Sequence, residues 1–254
     1  MPYPTERRTA MITKHIHLNE TDSTNTYVKE LLHAGIDLPE VTLVDAEFQT
    51  GGRGQVGNTW ESRKGENLTF SLLCHPTSIR ADRQFVLSQA IALAVQQTLL
   101  GFIDGVTVKW PNDIYWQDKK ICGILIECTL SGMTVKDCII GVGLNVNQTE
   151  FVSDAPNPVS LAQVVGLTFN RKAVLDAVCD KFLHYYAKVQ DGESLDDEYT
   201  ANLYRREGLY PYAEPGCEPF LAEFAGIKPT GHILLKDDTG TMHEYEFKEV
   251  KFIL

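Results

Sequence analysis

Residues 106–146 read VTVKWPNDIYWQDKKICGILIECTLSGMTVKDCIIGVGLNV, and the punctuation of this stretch decides the architecture. Val106 to Trp110 is a β-branched run closed by a turn at Pro111, Asn112 and Asp113. Ile114 to Trp116 follows, and the polar tip Gln117-Asp118-Lys119-Lys120 sends the chain back through Ile121 to Leu130. Ser131-Gly132 turns it again, and Cys138 to Val146 forms a further strand. Hairpins in succession imply a mixed, mainly antiparallel sheet.

Working outward, Val41 to Phe48 and Leu68 to Cys74 read as two more strands. Residues 1–13 read as a loose leader. Ser23 and Thr24 are placed to cap a short helix with Val28, Leu31 and Leu32 on one side, stopped near Gly35. Residues 83–100 space Leu87, Ile91, Ala94, Val95 and Leu99 as an amphipathic helix, and residues 159–206 read as helical with Val174, Leu175, Val178, Phe182 and Tyr185 inward. After Gly208 the pattern changes to short strands at Pro219 to Ala225, His232 to Lys236 and Met242 to Phe252. The expectation is an α+β protein with a domain at 1–208 and a small β-domain at 209–254.

The bulk numbers narrow the class. A chain of 254 residues with 43% hydrophobic and 22% charged residues has ample material for a core. A net charge of −11 argues against nucleic acid as the main partner. No apolar run approaches the ~18 residues of a membrane span, and no apolar core follows Arg7, Arg8 and Lys14, so a cytoplasmic place is expected. Of Cys74, Cys122, Cys128, Cys138, Cys179 and Cys217, no two stand in C-x-x-C spacing, and His15 and His17 lack nearby cysteines. Reduced thiols are the better reading than zinc.

Gln49 to Gly65 is rich in glycine and carries no apolar period, so it reads as a long loop. Gly52-Arg53-Gly54-Gln55-Val56-Gly57 matches G-x-G-x-x-G, but no helical pattern follows and no acid stands near residue 75, where Cys74, His75 and Pro76 lie. That counts against the dinucleotide reading. No Gly-Lys-Ser/Thr is present for a Walker loop. An arginine between glycines fits an anion-binding loop, since glycine lets the backbone approach a ligand and arginine offers a forked cation.

Five blocks, in order, resemble the biotin–protein ligase family. They are Asp22-Ser23-Thr24-Asn25; Gln49 to Gly54 with Gly57 and Trp60; Lys109-Trp110-Pro111-Asn112-Asp113; Lys120 to Leu125 with Glu127; and Gly141-Val142-Gly143-Leu144-Asn145. The resemblance implies a class II synthetase-like catalytic domain followed by an SH3-like barrel, with ATP, Mg²⁺ and biotin as its small molecules. It implies that Ser23, Thr24, Asn25, Gln49, Gly52, Arg53, Lys120, Gly123, Gly141 and Gly143 hold biotin. Arg53, Gln55, Trp60, Asn112, Lys120 and Asn145 would meet ATP. Lys120, Arg53, Asp113 and Lys109 would be catalytic, with Asp113 toward Mg²⁺. The implied partner is a biotin carboxyl carrier domain.

Family members often carry Gly-Arg-Gly-Arg in the loop and another basic residue before the tryptophan, where this chain has Gln55 and Asn58. A leakier hold on the adenylate is expected from that loss. Some members also bear a DNA-binding domain of roughly sixty residues. Only 21 residues precede Asp22, so a ligase without DNA or membrane partners is expected. A lipoate or octanoate ligase on the same scaffold and a non-catalytic sensor are the competing readings, and pairing of two copies through a sheet edge stays open.

Overall fold

In a computed structural model, residues 11–55, 58–153 and 155–254 are described. The loose leader falls mostly outside them; from Lys14 the chain is ordered as β1 (Lys14–Leu18). There follow α1 (Thr24–His33), β2 (Val41–Ala46), β3 (Leu68–Cys74), α2 (Phe85–Leu99), β4 (Val106–Lys109), β5 (Asp113–Trp116), β6 (Lys119–Ser131) and β7 (Thr134–Leu144). These strands form one seven-stranded sheet in the order β1-β2-β3-β7-β6-β5-β4, in which only β1 and β2 run parallel. The mixed, mainly antiparallel sheet expected from the hairpins is therefore present.

The pleat sorts the sheet into two faces. Leu68, Phe70 and Leu72 on β3, with Ile140, Val142 and Leu144 on β7, join the main core. The alternate residues Leu73 and Ile139 pack with Val28 of α1 in a smaller cluster. On that second face β7 continues as Gly141 and Gly143, and glycine at alternate positions leaves the sheet bare there.

Some features differ from expectation. The helix read as amphipathic, α2, is buried nearly all round, because α4 (Arg171–Gln190) covers the side turned from the sheet. The single helical stretch of 159–206 is α3 (Leu161–Val165), α4 and α5 (Asp196–Ala201). Breaks fall at Gly166 and Gly192, whose φ of 78° and 79° suit glycine. Ser23 stands at the N-cap of α1 with extended backbone, but its side chain makes no capping bond.

The C-terminal strands β8 (Tyr210–Ala213), β9 (Phe220–Ile227), β10 (Ile233–Asp237), β11 (Met242–Tyr245) and β12 (Lys251–Phe252) form a five-stranded antiparallel sheet of SH3-like character. The strand expected over 242–252 is split by a turn in which Lys248 takes φ 75°. Among the described residues, no helix is long and apolar enough to cross a membrane.

Candidate active site

A cavity of about 710 Å³ opens on the glycine-bearing face, between the seven-stranded sheet, the loop over 49–60 and the C-terminal strands. Its polar end is built by α1. The Thr24 backbone and hydroxyl both donate to Gln49 Oε1, at 2.7 and 3.1 Å. Ser71 Oγ lies 2.6 Å from Asn25 Oδ1, and Asn25 Nδ2 donates to Glu127 Oε2 at 2.9 Å. Lys29 Nζ closes the chain on Glu127 at 2.6 Å. Burial alone would raise the Glu127 carboxyl, but the hydrogen bonds from Lys29 and Asn25 hold it below its usual range.

Three glycines make the floor, and each is needed for space. A Cβ on Gly141 would stand 2.5 Å from Asn25 Oδ1. One on Gly143 would stand 2.3 Å from Trp60 Cε2, and one on Gly123 would stand 2.9 Å from Trp60 Cζ3. The Trp60 indole thus lies on Gly123 and Gly143, and its Nε1 is buried with no partner among the described residues.

The loop carrying Trp60 is a small hairpin. Trp60 N–H donates to Gly52 O, Gly54 N–H donates to Asn58 O, and Arg53 bridges Thr59. A Cβ on Gly52 would meet Trp60 O at 2.5 Å, so glycine serves this hairpin's closure. Arg53 is exposed and donates to Thr26 Oγ1 at 2.8 Å.

At the other end, Lys120 Nζ stands 2.6 Å from Asp113 Oδ1 and 5.7 Å from the Trp60 ring centroid. Asn112 is clipped to β6, its Nδ2 donating to Ile124 O and its O accepting from Ile124 N–H. Lys109 sits between two rings, 5.2 Å from that of Tyr115 and 4.8 Å from that of Phe252. Burial lowers its ammonium pKa, and the Asp113 charge offsets part of that. Burial also pushes the Tyr115 phenol up to about 12.

Of the residues singled out from sequence, Ser23, Thr24, Asn25, Gln49, Arg53, Gln55, Trp60, Lys109, Asn112, Asp113, Lys120, Gly123, Gly141 and Gly143 all line this cavity. Gly52 and Asn145 do not. Asn145 is buried just past the end of β7, donating to Val159 O at 3.1 Å, and its Oδ1 has no partner among the described residues. Sequence reading missed Tyr115 and the C-terminal group Phe247, Lys251, Phe252 and Leu254, which complete the wall. Trp110 Nε1 donates to Gly231 O at 2.8 Å and fixes the C-terminal sheet beside the site.

The sequence model of the biotin/lipoate A/B protein ligase family matches residues 18–145. The chain is 37% identical over 194 residues to the bifunctional ligase/repressor BirA of Escherichia coli, covering 75% of this chain and 54% of that one. It is 29% identical to the biotin–[acetyl-CoA-carboxylase] ligase of Paracoccus denitrificans, covering 88% of this chain and 94% of that one. The solved biotin protein ligase of Aquifex aeolicus, in complex with biotin and ATP, superposes with a TM-score of 0.78 at 26% identity. That match covers 95% of this chain and 100% of the other. The chain spans about half the length of the bifunctional relatives it matches. The family match takes in every strand of the glycine floor and both partners of the Lys120–Asp113 pair, and on it the chain belongs to the biotin/lipoate A/B protein ligase family.

Proposed function

We propose that the protein is a biotin–protein ligase, which joins biotin to AMP at the expense of ATP and passes the biotinyl group to a lysine of a biotin carboxyl carrier domain. One observation carries the reading: motif blocks scattered between residues 23 and 143 converge on one cavity with a glycine floor, on which Trp60 rests, and with Arg53, Lys109 and Lys120 in its wall. Relatives and neighbours described as biotin ligases, one of them holding biotin and ATP, support it. We take residues 1–208 as the catalytic unit and 209–254 as an appendage that walls the site.

In the first half-reaction a carboxylate attacks the α-phosphorus of ATP, and both are anions. Two unit charges at 4 Å repel by roughly 4 kcal/mol at an effective dielectric of 20. Lys120 and Arg53 supply the offsetting charge, with Lys109 behind them. Asp113 holds Lys120 in position across the strand pair. The polar end built from Thr24, Asn25 and Gln49 takes the polar ring of the acyl group, and its body takes the place of the Trp60 indole on the glycine floor.

Mg²⁺ prefers one or two carboxylates together with phosphate oxygens. Asp113 presents one oxygen to Lys120 and keeps the other, so the residues fit an ion that arrives with the nucleotide. Such an ion supplies further positive charge to the phosphates.

In the second half-reaction a lysine amine must be neutral to attack, and at pH 7 only roughly one free lysine in 2,500 is. The Asp113 carboxylate is our candidate to accept its proton. The test of the whole reading is intact mass of a biotin carboxyl carrier domain after incubation with the protein, MgATP and either biotin or lipoate. Biotin on the carrier is the expected result. Lipoate in its place would move the chain to the other branch of its family, and neither acyl group on the carrier nor free adenylate would end the ligase reading.

A further inference from the structure

Three cysteines on adjacent strands stand in one row. Cys74 on β3 lies directly opposite Cys138 on β7, and Cys138 lies directly opposite Cys128 on β6. Residues so paired point to the same side of a sheet. Here that is the main-core side, away from the cavity, shared with Leu72, Ile140 and Ile126. Cys74 and Cys138 are fully buried, Cys128 at the end of the row is partly open, and all are free thiols.

The bland account is three small apolar side chains in a reduced core. Cys122 and Cys179 fit it: each is buried, and burial pushes its thiol up. A metal site does not fit, because no group of three His, Cys, Asp or Glu among the described residues could hold an ion. The Cys128–Cys138 pair differs from both accounts. The two thiols act on each other across the strand pair, which lowers the Cys128 thiol and raises that of Cys138. A half-buried cysteine directly across the strand pair from a buried one is the arrangement of a reactive cysteine and its resolving partner. Directly opposed residues of antiparallel strands have Cα atoms about 4.5–5.5 Å apart, within the roughly 4.4–6.8 Å that a disulfide spans.

We propose that Cys128 and Cys138 are a peroxide-responsive dithiol site that closes to a cross-strand disulfide. The Cys128 thiolate attacks one oxygen of hydrogen peroxide and breaks the O–O bond. That oxygen stays on sulfur as a sulfenic acid, and the other leaves as hydroxide and takes up the proton Cys128 gave to solvent. The Cys138 sulfur then attacks the Cys128 sulfur, and the sulfenic oxygen leaves as water with the Cys138 proton. Two thiols lose two electrons, and one peroxide becomes two waters.

The test uses the full chain carrying Cys217→Ser, which removes the exposed thiol. It is treated with hydrogen peroxide under native conditions, alkylated and mapped by peptide mass. The expected product links the peptides of Cys128 and Cys138, is lighter by two hydrogens, and is reversed by dithiothreitol. In the same background Cys138→Ala should leave Cys128 trapped by dimedone as a sulfenic acid adduct, and Cys128→Ser should reduce the cross-link to background. Recovery of Cys128 as a free thiol, its oxidation to sulfinic acid without a cross-link, or a link from Cys138 to Cys74 in its place would each overturn the proposal.

Discussion

Lys120 Nζ reaches Asp113 Oδ1 at 2.6 Å because one extra residue in β6 turns Lys120 over. Asp113 is paired with Gly123 and Ile114 with Cys122, but Tyr115 is paired with Lys120, so Ile121 is the added residue. Without this bulge Lys120 would share the core face of Cys122 and Ile124; with it, Lys120 joins Gly123, Asp113 and Tyr115 on the cavity face. The ion pair is thus a product of strand register, and Asp113 holds Lys120 in addition to the proton-accepting role proposed for it.

That double possibility makes a first prediction. Lys120→Ala should slow adenylate formation by roughly a hundredfold or more, since it deletes a cation aimed at developing negative charge. Asp113→Asn separates the two roles of the carboxylate. If Asp113 chiefly holds Lys120, both adenylate formation and transfer fall; if it chiefly accepts the lysine proton, only transfer from preformed biotinyl-adenylate falls. Single-turnover rates of each half-reaction read the difference, and full retention of both would remove Asp113 from the chemistry.

The second prediction concerns the floor. Gly143→Ala would place a methyl 2.3 Å from the Trp60 ring, and neither the strand nor the indole can absorb that in place. Trp60 must leave, and overpacking of this kind costs about 1–3 kcal/mol. Thermal melts should show the loss, and tryptophan emission should shift to the red as the half-buried indole meets water. Gly123→Ala, at 2.9 Å from the ring and 3.2 Å from the flexible Lys120 Cε, should do less. Equal, unshifted emission in both variants would mean that Trp60 does not rest on this floor in solution.

Much of this architecture was legible in the chain. The run Leu68 to Cys74 is β3 to the residue, and the glycines at 141 and 143 were named through the family resemblance. Other features were hidden for physical reasons. In β1 the alternate residues His15 and His17 are polar and turn to Asp45, so the strand carries half of the usual apolar signal. The bulge at Ile121 leaves no trace in composition, since Lys120 looks like a hairpin-tip lysine until its partner across the sheet is known. Asn145 sits at the end of a glycine motif yet faces Val159, because side-chain direction at a strand end depends on the chain that returns there. Phe252 and Leu254 reach the cavity only through tertiary folding, which no local pattern encodes.

Lys109 gives a prediction in pH. Burial lowers its pKa below the ordinary lysine value, so the unfolded chain binds the proton more tightly than the folded one. Stability from this residue therefore rises with pH through the window between its lowered folded pKa and the unfolded value of about 10.4. Below that window the cost of the buried charge is present in full, and above it the cost is gone. Lys109→Met has no such titration. The parent should gain on the variant in denaturant midpoint as pH is raised through the window, even though the raised tyrosine pKa values make both less stable at the alkaline end. A constant difference between them across that range would show that Lys109 is not desolvated.

The loop tip gives the last prediction. Gln55 and Asn58 line the cavity from the end of the hairpin that Gly52 and Trp60 close, and Arg53 is the one cation among its described residues. A bound acyl-adenylate carries a phosphate, and a basic residue at either place would put further charge against it. Gln55→Arg restores one such cation. Because Gln55 is half-buried and Asn58 exposed, the added attraction should amount to about 1 kcal/mol, or roughly a fivefold slower release of biotinyl-adenylate. The effect should shrink as salt is raised, since screening acts on exposed charges first. Release can be followed by rapid filtration after single-turnover synthesis at low and high salt. A salt-independent slowing would point to closer packing of the loop, and no slowing at all would mean that the tip stands away from the phosphate while the adenylate is held.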